Sequence, residues 1–425
     1  MSEKHFNIDL KLWNIAEEIE KELRNKNFNE IEKIAEYNQL KVIQAMQDNR
    51  VSEACFYGTT GYGYDDLGRE VIDSIYSQVF DSEDALVRSQ FISGTHALNT
   101  ALWSALRPGD VLLSVTGKPY DTLEKAIGIS GNYNGSLADF GVEFNQISLL
   151  EDGGIDYKTL KQTICKKKIK MVYIQRSKGY GWRPSLYVSD IKKLIEFVKA
   201  LDKDIVCLID NCYGEFVEKI EPTGVGAELV VGSLIKNPGG GIARTGAYIA
   251  GKKEYVELSA SRLTAPGIGK ECGATLGMNR EIIMGLFFAP HIVAESLKGA
   301  VFCSELLSQL GFEVSPTAAE IRTDIIQAIK FNNKDALIAF CQGIQKGAAV
   351  DSHVTPQPWD MPGYSNQVIM AAGTFVQGAS IEMSADAPIR SPYIAYLQGG
   401  LTYVHAKFSI LKAVQELIER KIIIL

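Results

Sequence analysis

The chain has 425 residues, 46% of them hydrophobic and 22% charged, with a formal net charge of −7. That length exceeds one compact core and implies two or more lobes, and the mild acidity argues against nucleic-acid binding as the main function. The N-terminal MSEKHFNIDLKLWN has no signal-type apolar core and no run approaches the ~20 apolar residues that span a bilayer, so a cytoplasmic protein without membrane partners is expected. Seven cysteines, scattered and without CxxC spacing, argue against a disulfide framework or a zinc site, and no metal is expected.

In chain order, Leu12, Ile15, Ala16, Ile19 and Leu23 recur at helical spacing, and Ile31, Ile34, Ala35, Val42 and Met46 do so again. Residues 1–55 therefore read as a helical segment with little core of its own, packed on the main body or on a second subunit. GTTGYGYDDLGRE (58–70) is an ordered loop rich in glycine and tyrosine. From there to about residue 250, the runs DVLLSV, KMVYIQ, DIVCLID, LVVGS and GAYIAG read as short buried strands, with helical stretches between several of them. The clearest helix is HALNTALWSALRPG, with Ala97, Leu98, Ala101, Leu102, Ala105 and Leu106 on one stripe and Pro108-Gly109 as its stop. Alternating strands and helices predict an α/β domain over 56–289 with a mainly parallel sheet covered on both faces. The stretch from Pro290 to Gly311 reads as one long linking helix. FEVSP, DIIQAIKF, QVIMAAGTF and ASIEMSA are strand candidates, and KDALIAFCQGIQ and KFSILKAVQELIERK are helices, so 290–425 is expected to be that helix plus a smaller α+β domain.

Two charges stand where buried strands should end. Asp210 closes IVCLID, and Lys236 follows LVVGS in GSLIKNPGGG. A lysine so placed is a candidate for a Schiff base with an aldehyde cofactor, and a carboxylate on a preceding strand end is the usual partner of a pyridinium nitrogen. Together they suggest pyridoxal phosphate bound covalently to Lys236. KNPGGG is not a nucleotide phosphate loop, where the lysine follows the glycines. An exposed turn lysine and a turn-capping aspartate are the bland alternatives. SGTHA (93–97) opens the helix just described, so Ser93, Gly94 and Thr95 can form a phosphate cup; alone, this is an ordinary N-cap. Ser233 could donate to the same phosphate. His96 either lies near the cofactor or bonds the backbone as a helix-start residue. Tyr120, in PYDTL after a strand, is the favoured stacking ring, with a half-solvated turn tyrosine as the other reading. Arg390 in SADAPIRSPY is a candidate donor pair for a substrate carboxylate, with Arg183, Arg244 and Arg322 as rivals and a surface salt bridge as the common alternative.

The order SGTHA, PYDTL, DNCYGE, GSLIKNPGGG resembles fold-type I pyridoxal-phosphate enzymes of the cysteine and methionine metabolism group. IQRSKGYGWRPSL and GSLIKNPGGGIARTGAYIAG are most similar to the bacterial family labelled aluminium resistance protein or methionine γ-lyase-like protein, over nearly the whole chain. The resemblance implies Lys236 as the Schiff-base lysine, Asp210 at the pyridine nitrogen, Ser93, Gly94, Thr95 and Ser233 around the phosphate, and Tyr120 stacked on the ring. It implies a homodimer with a shared active site, in a homotetramer. Cystathionine lyases hold the phosphate with a Tyr-x-Arg pair from the neighbouring subunit. Here Tyr62-Gly63-Tyr64 stands in its place, with Arg69 or Arg244 as replacements for the missing cation. The implied activity is carbon–sulfur lysis of a sulfur-containing amino acid, of cystathionine β-lyase or methionine γ-lyase type. The alternatives are transamination or decarboxylation on the same scaffold, or cofactor binding without turnover.

Overall fold

The structure is a computed structural model that describes residues 6–129, 134–361, 364 and 366–425. Its helices are α1 (Leu10–Leu23), α2 (Asn29–Asp48), α3 (Leu67–Val79), α4 (Gly94–Ala105), α5 (Asp121–Ile127), α6 (Tyr157–Lys166), α7 (Val188–Leu201), α8 (Lys253–Leu263), α9 (Asn279–Gln309), α10 (Lys334–Gly347) and α11 (Tyr403–Glu419). Its strands are β1 (Asp84–Arg88), β2 (Val111–Ser114), β3 (Glu143–Gln146), β4 (Met171–Gln175), β5 (Val206–Asp210), β6 (Leu229–Ser233), β7 (Ala247–Gly251), β8 (Glu313–Ser315), β9 (Gln327–Lys330), β10 (Val368–Ala371), β11 (Ser384–Pro388) and β12 (Ile394–Gln398).

The chain forms two units. One comprises Asn38–Gly179 and Ser185–Phe288, and the other the residues up to Tyr37, Tyr180–Pro184 and Ala289–Leu425. The first is built on a seven-stranded sheet of order β1-β7-β6-β5-β4-β2-β3. Strands β2 to β6 run parallel, and β7 is antiparallel to both β1 and β6. Strands β2 and β4 to β7 are buried along their whole length, which is why they read as unbroken apolar runs. The expected stripe of α4 packs into this core: Ala97, Leu98, Ala101, Leu102 and Ala105 join Leu112, Met171, Leu208, Val231 and Ile249. Gln175, Asp210 and Val231 lie in register, so β4 and β5 end level at their carboxyl ends and β6 runs on to Ser233. In open parallel sheets that edge is where ligands bind.

The second unit carries an antiparallel five-stranded sheet, β10-β11-β12-β9-β8. Helix α10 packs on this sheet, and α11 crosses α10 closely. A Cβ on Gly343 would stand 2.4 Å from the Ala413 Cα, and one on Gly347 2.4 Å from the Ser409 Cα, so glycine is required at both crossings. Helix α1 starts on Asp9, whose carboxylate accepts from the Lys11 and Leu12 N–H groups, and buries Leu12, Ala16, Ile19 and Leu23.

Three expectations change. Strands β1, β3 and β12 had no clear signature. The strand expected in ASIEMSA begins only at its last two residues, as β11, and Ile381 and Met383 are buried ahead of it. Helix α9 starts eleven residues before Pro290, which sits inside it, at the boundary of the two units. By length and composition this helix could cross a membrane, yet 67% of its apolar window is buried inside the protein.

Candidate active site

Asp210 ends β5, and Lys236 lies three residues beyond the end of the adjacent parallel strand β6. The Asp210 carboxylate is buried and accepts from the Tyr173 hydroxyl at 3.2 Å and the Cys212 N–H at 3.2 Å. Burial raises its pKa, opposed by the Lys236 ammonium and these donors. Lys236 caps the short turn Asn237–Gly239, and its Nζ lies 4.1 Å from the centroid of the Tyr213 ring. Burial disfavours charge on Nζ, but the polar groups around it, the Asp210 carboxylate among them, outweigh burial and raise its pKa. The Cys212 thiol, also buried, is pushed well above the usual thiol range.

The start of α4 faces Ser233. Ser93 caps the helix by accepting from the His96 N–H at 3.1 Å. The Gly94 and Thr95 N–H groups meet no acceptor among the described residues, and the Ser233 hydroxyl takes no hydrogen bond there. A Cβ on Gly94 would stand 3.4 Å from the Ser233 Cβ and 3.9 Å from the Cys212 Sγ, so the start of α4 lies directly beside both residues. Two unpaired amides at a helix start, with a hydroxyl opposite, form a cradle suited to an anion. The Thr95 hydroxyl is shared with Thr122 at 2.7 Å. His96 takes the backbone option: its Nδ1 accepts from the Ile92 N–H at 3.4 Å, its ring meets Phe91 edge-on, and burial lowers its pKa.

Tyr120 precedes α5 and is 37% exposed. Its N–H donates to Gln175 Oε1 at 3.0 Å. Gln175 pairs in register with Asp210, so one strand end orients Tyr120 and flanks the carboxylate.

Beneath these residues runs a buried polar network. Arg176, fully buried, donates to Asn211 Oδ1 at 2.8 Å and to Glu218 at 2.7 Å. Asn211 donates to Glu221 at 2.9 Å and to the Tyr248 hydroxyl at 3.3 Å, and that hydroxyl donates to Glu215 Oε1 at 2.9 Å. Asn237, next to Lys236, donates to the Glu215 carbonyl at 3.0 Å. The chain neighbours of both Asp210 and Lys236 are thus tied to one interior framework. The sequence reading missed Tyr173, Gln175, Arg176, Tyr213 and Glu215. A tyrosine and an arginine inside YIQR, a fully buried strand end, were the available signal, since buried polar groups require partners.

Tyr62 and Tyr64 stack on each other, ring centroids 5.7 Å apart, at 75% and 59% exposure. Among the described residues neither ring touches Lys236, Asp210 or the α4 start. The two arginines offered as replacement cations are committed elsewhere. Arg69 is buried and donates to the carbonyls of Gly63, Glu271 and Gly273. Arg244 is exposed and paired with Glu281 at 2.6 Å. Arg390, in the other unit, is exposed and donates to the Tyr180 carbonyl at 3.3 Å. Of its rivals, Arg183 donates to the Pro184 carbonyl at 2.9 Å, and Arg322 is buried, which lowers its pKa to about 10.

A family model described as methionine gamma-lyase matches residues 12–418. A Bacillus subtilis (strain 168) protein, described as uncharacterized protein YnbB, is 53% identical over 395 residues, 93% of this chain and 94% of that protein. The crystal structure of a carbon–sulfur lyase involved in aluminum resistance from Clostridium novyi NT is 52% identical, covers 97% of each chain and superposes with a TM-score of 0.93. The structure of the pyridoxal-5'-phosphate-dependent protein YhfS from Escherichia coli is 14% identical and covers 92% of this chain and 97% of that one, with a TM-score of 0.62, a likeness of fold alone. The two-sheet architecture is that of fold-type I pyridoxal-phosphate-dependent enzymes. Matched by its family model over nearly all its length, the chain belongs to the methionine gamma-lyase family.

Proposed function

We propose that the protein is a pyridoxal-phosphate-dependent carbon–sulfur lyase acting on a sulfur-containing amino acid. The observation that carries this is the convergence of Lys236, Asp210 and the adjoining Gly94 and Ser233 at the carboxyl edge of one sheet. The donor set fits pyridoxal phosphate. A buried carboxylate beside a buried amine matches a pyridinium nitrogen and an aldehyde, and the free amides of Gly94 and Thr95 with the Ser233 hydroxyl match a phosphate.

When bound, pyridoxal phosphate supplies an electron sink for charge that develops at the substrate Cα. Lys236 would bind its aldehyde, yield that position to the substrate amine, and remove the Cα proton at Nζ. Nζ would then deliver a proton to the departing sulfur, and γ-elimination would need a second proton removed, from Cβ. Asp210 would keep a proton on the pyridine nitrogen, and Tyr173 and the Cys212 N–H would hold the carboxylate in place. Tyr120 would cover one ring face. Arg390 would bind the substrate carboxylate through two parallel donors. In a homodimer, Tyr62 and Tyr64 of one protomer would complete the site of its partner, and two such dimers would form the homotetramer.

The test is a product assay with cystathionine, methionine, cysteine and homocysteine. Thiol and ammonia released with pyruvate mark β-elimination, and with 2-oxobutyrate mark γ-elimination. No thiol or oxo acid from any of the four would sink the lyase reading, and amine transfer dependent on an added 2-oxo acid would replace it with transamination. Gly94→Ala addresses the cradle. The new Cβ makes only tight-to-ordinary contacts in the folded protein, so the unfolding midpoint should hold. In the cradle it crowds the anion, and affinity for pyridoxal phosphate should fall about tenfold or more, by the ~1–3 kcal/mol of an overpacked site. Unchanged affinity in a spectroscopic titration would place the phosphate elsewhere.

A further inference from the structure

The loop after β5 has an unfavourable backbone. Tyr213 has φ 75° and Phe216 φ 63°, a left-handed region that residues other than glycine avoid. Such conformations persist only where the surroundings fix them, and they cluster at functional sites. Here the interior network fixes them. Glu221 Oε1 accepts from the Phe216 N–H at 2.9 Å, Asn211 is held by Arg176, and Asn237 clasps the Glu215 carbonyl. Gly214 leaves room for Arg176, since a Cβ there would lie 2.5 Å from the guanidinium carbon. The strained loop lays the Tyr213 ring against Lys236, with Nζ 4.1 Å from its centroid, well inside the ~6 Å over which a ring face attracts a cation.

We infer that Tyr213 is a positioning residue for Lys236: its ring seats the Nζ cation at the end of β6 and must release it before the amine can attack an aldehyde. The inference rests on the reading of Lys236 as the aldehyde-binding amine. A ring face stabilises the ammonium and does little for the neutral amine. Removing the ring should therefore let Nζ lose its proton at lower pH. A role in packing alone would change stability and leave that pH unmoved.

The experiment uses the full-length apoprotein, pyridoxal phosphate and borohydride, with the mass increase of the peptide containing Lys236 measured across pH. Wild type and Tyr213→Phe should share one midpoint, because phenylalanine keeps the ring face. Tyr213→Gly, which also relieves the positive φ, should shift the midpoint toward acid by about one pH unit, a tenfold change. Tyr213→Asn, which tolerates the same backbone, should give the same shift and stands in should the glycine variant not fold. Ringless variants with the wild-type midpoint would overturn the role of Tyr213 alone. A wild type that takes up no label at Lys236 would overturn the reading of the lysine, and the inference with it.

Discussion

Lys236→Ala is expected to lose at least about 10³-fold of carbon–sulfur lyase turnover while keeping its unfolding midpoint. Proton transfer by a positioned base is worth roughly 10²–10⁴-fold, and the same amine is also the nucleophile for the aldehyde. No neighbour can take over. Burial holds the Cys212 thiol protonated, and Asp210 is bound by Tyr173 and a backbone amide. Lys236→Arg should be equally inactive, because a guanidinium keeps its positive charge yet does not deprotonate. Steady-state turnover together with borohydride labelling checks both variants. Retention of more than about a tenth of the rate in Lys236→Ala would assign the base elsewhere.

Glu215→Gln is expected to flatten the decline in stability between pH of about 6 and 8. Burial pushes the Glu215 carboxyl up to about 8, with Glu221 adding to it and its own amide, the Tyr248 hydroxyl and Lys236 opposing. Its Oε2 is buried without a partner, as expected of a group that folds in its neutral form. The folded pKa lies above the unfolded value, so the folded state keeps a proton that the unfolded chain has released. Stability from this group is fully present below the unfolded pKa and is lost as pH rises toward 8. The slope is about 1.4 kcal/mol per pH unit, so roughly 2 kcal/mol should disappear between pH 6 and 8. Glutamine keeps the acceptor for Tyr248 and never ionises. Thermal unfolding of both proteins across that range should show the midpoint of the wild type falling by about 2 °C more than that of the variant. Parallel curves would mean that Glu215 is already charged in the folded protein.

What the sequence disclosed follows from what sets a pattern. The stripe of α4 was legible because one face is buried and the other is not, and β5 and β6 because strands buried on both faces read as apolar runs, with a charge at the end of β5 and three residues past β6. Strand β11 was hidden because it is a buried strand with polar residues: Asp386 sits inside it, accepting from Gln398 at 2.8 Å, while the more apolar ASIEM (379–383) ahead of it holds a turn. Asp210 and Lys236 stood out as charges at strand ends. The left-handed backbone of Tyr213 left no mark, since nothing in CYGEF dictates which of its residues turns. Arg69 misled for a related reason. Charge and position suggested a phosphate ligand, but the direction of a long side chain is set by packing that one sequence does not record.

That arginine has a consequence for the tyrosines near it. Arg69 ties the Gly63 carbonyl to those of Glu271 and Gly273, and the Tyr62 carbonyl accepts from the Gly273 N–H at 2.9 Å. Thr59, Asp66, Thr275 and Asn279 close a second ring of hydrogen bonds between the same two loops. Gly58 presses so near Gly277 that a Cβ would stand 2.1 Å from its nitrogen. The exposed Tyr62–Tyr64 pair is therefore mounted on a cross-braced platform. Its conformational freedom is surrendered during folding, so an association through these rings would carry little of the ordering entropy that weakens contacts made by loose loops.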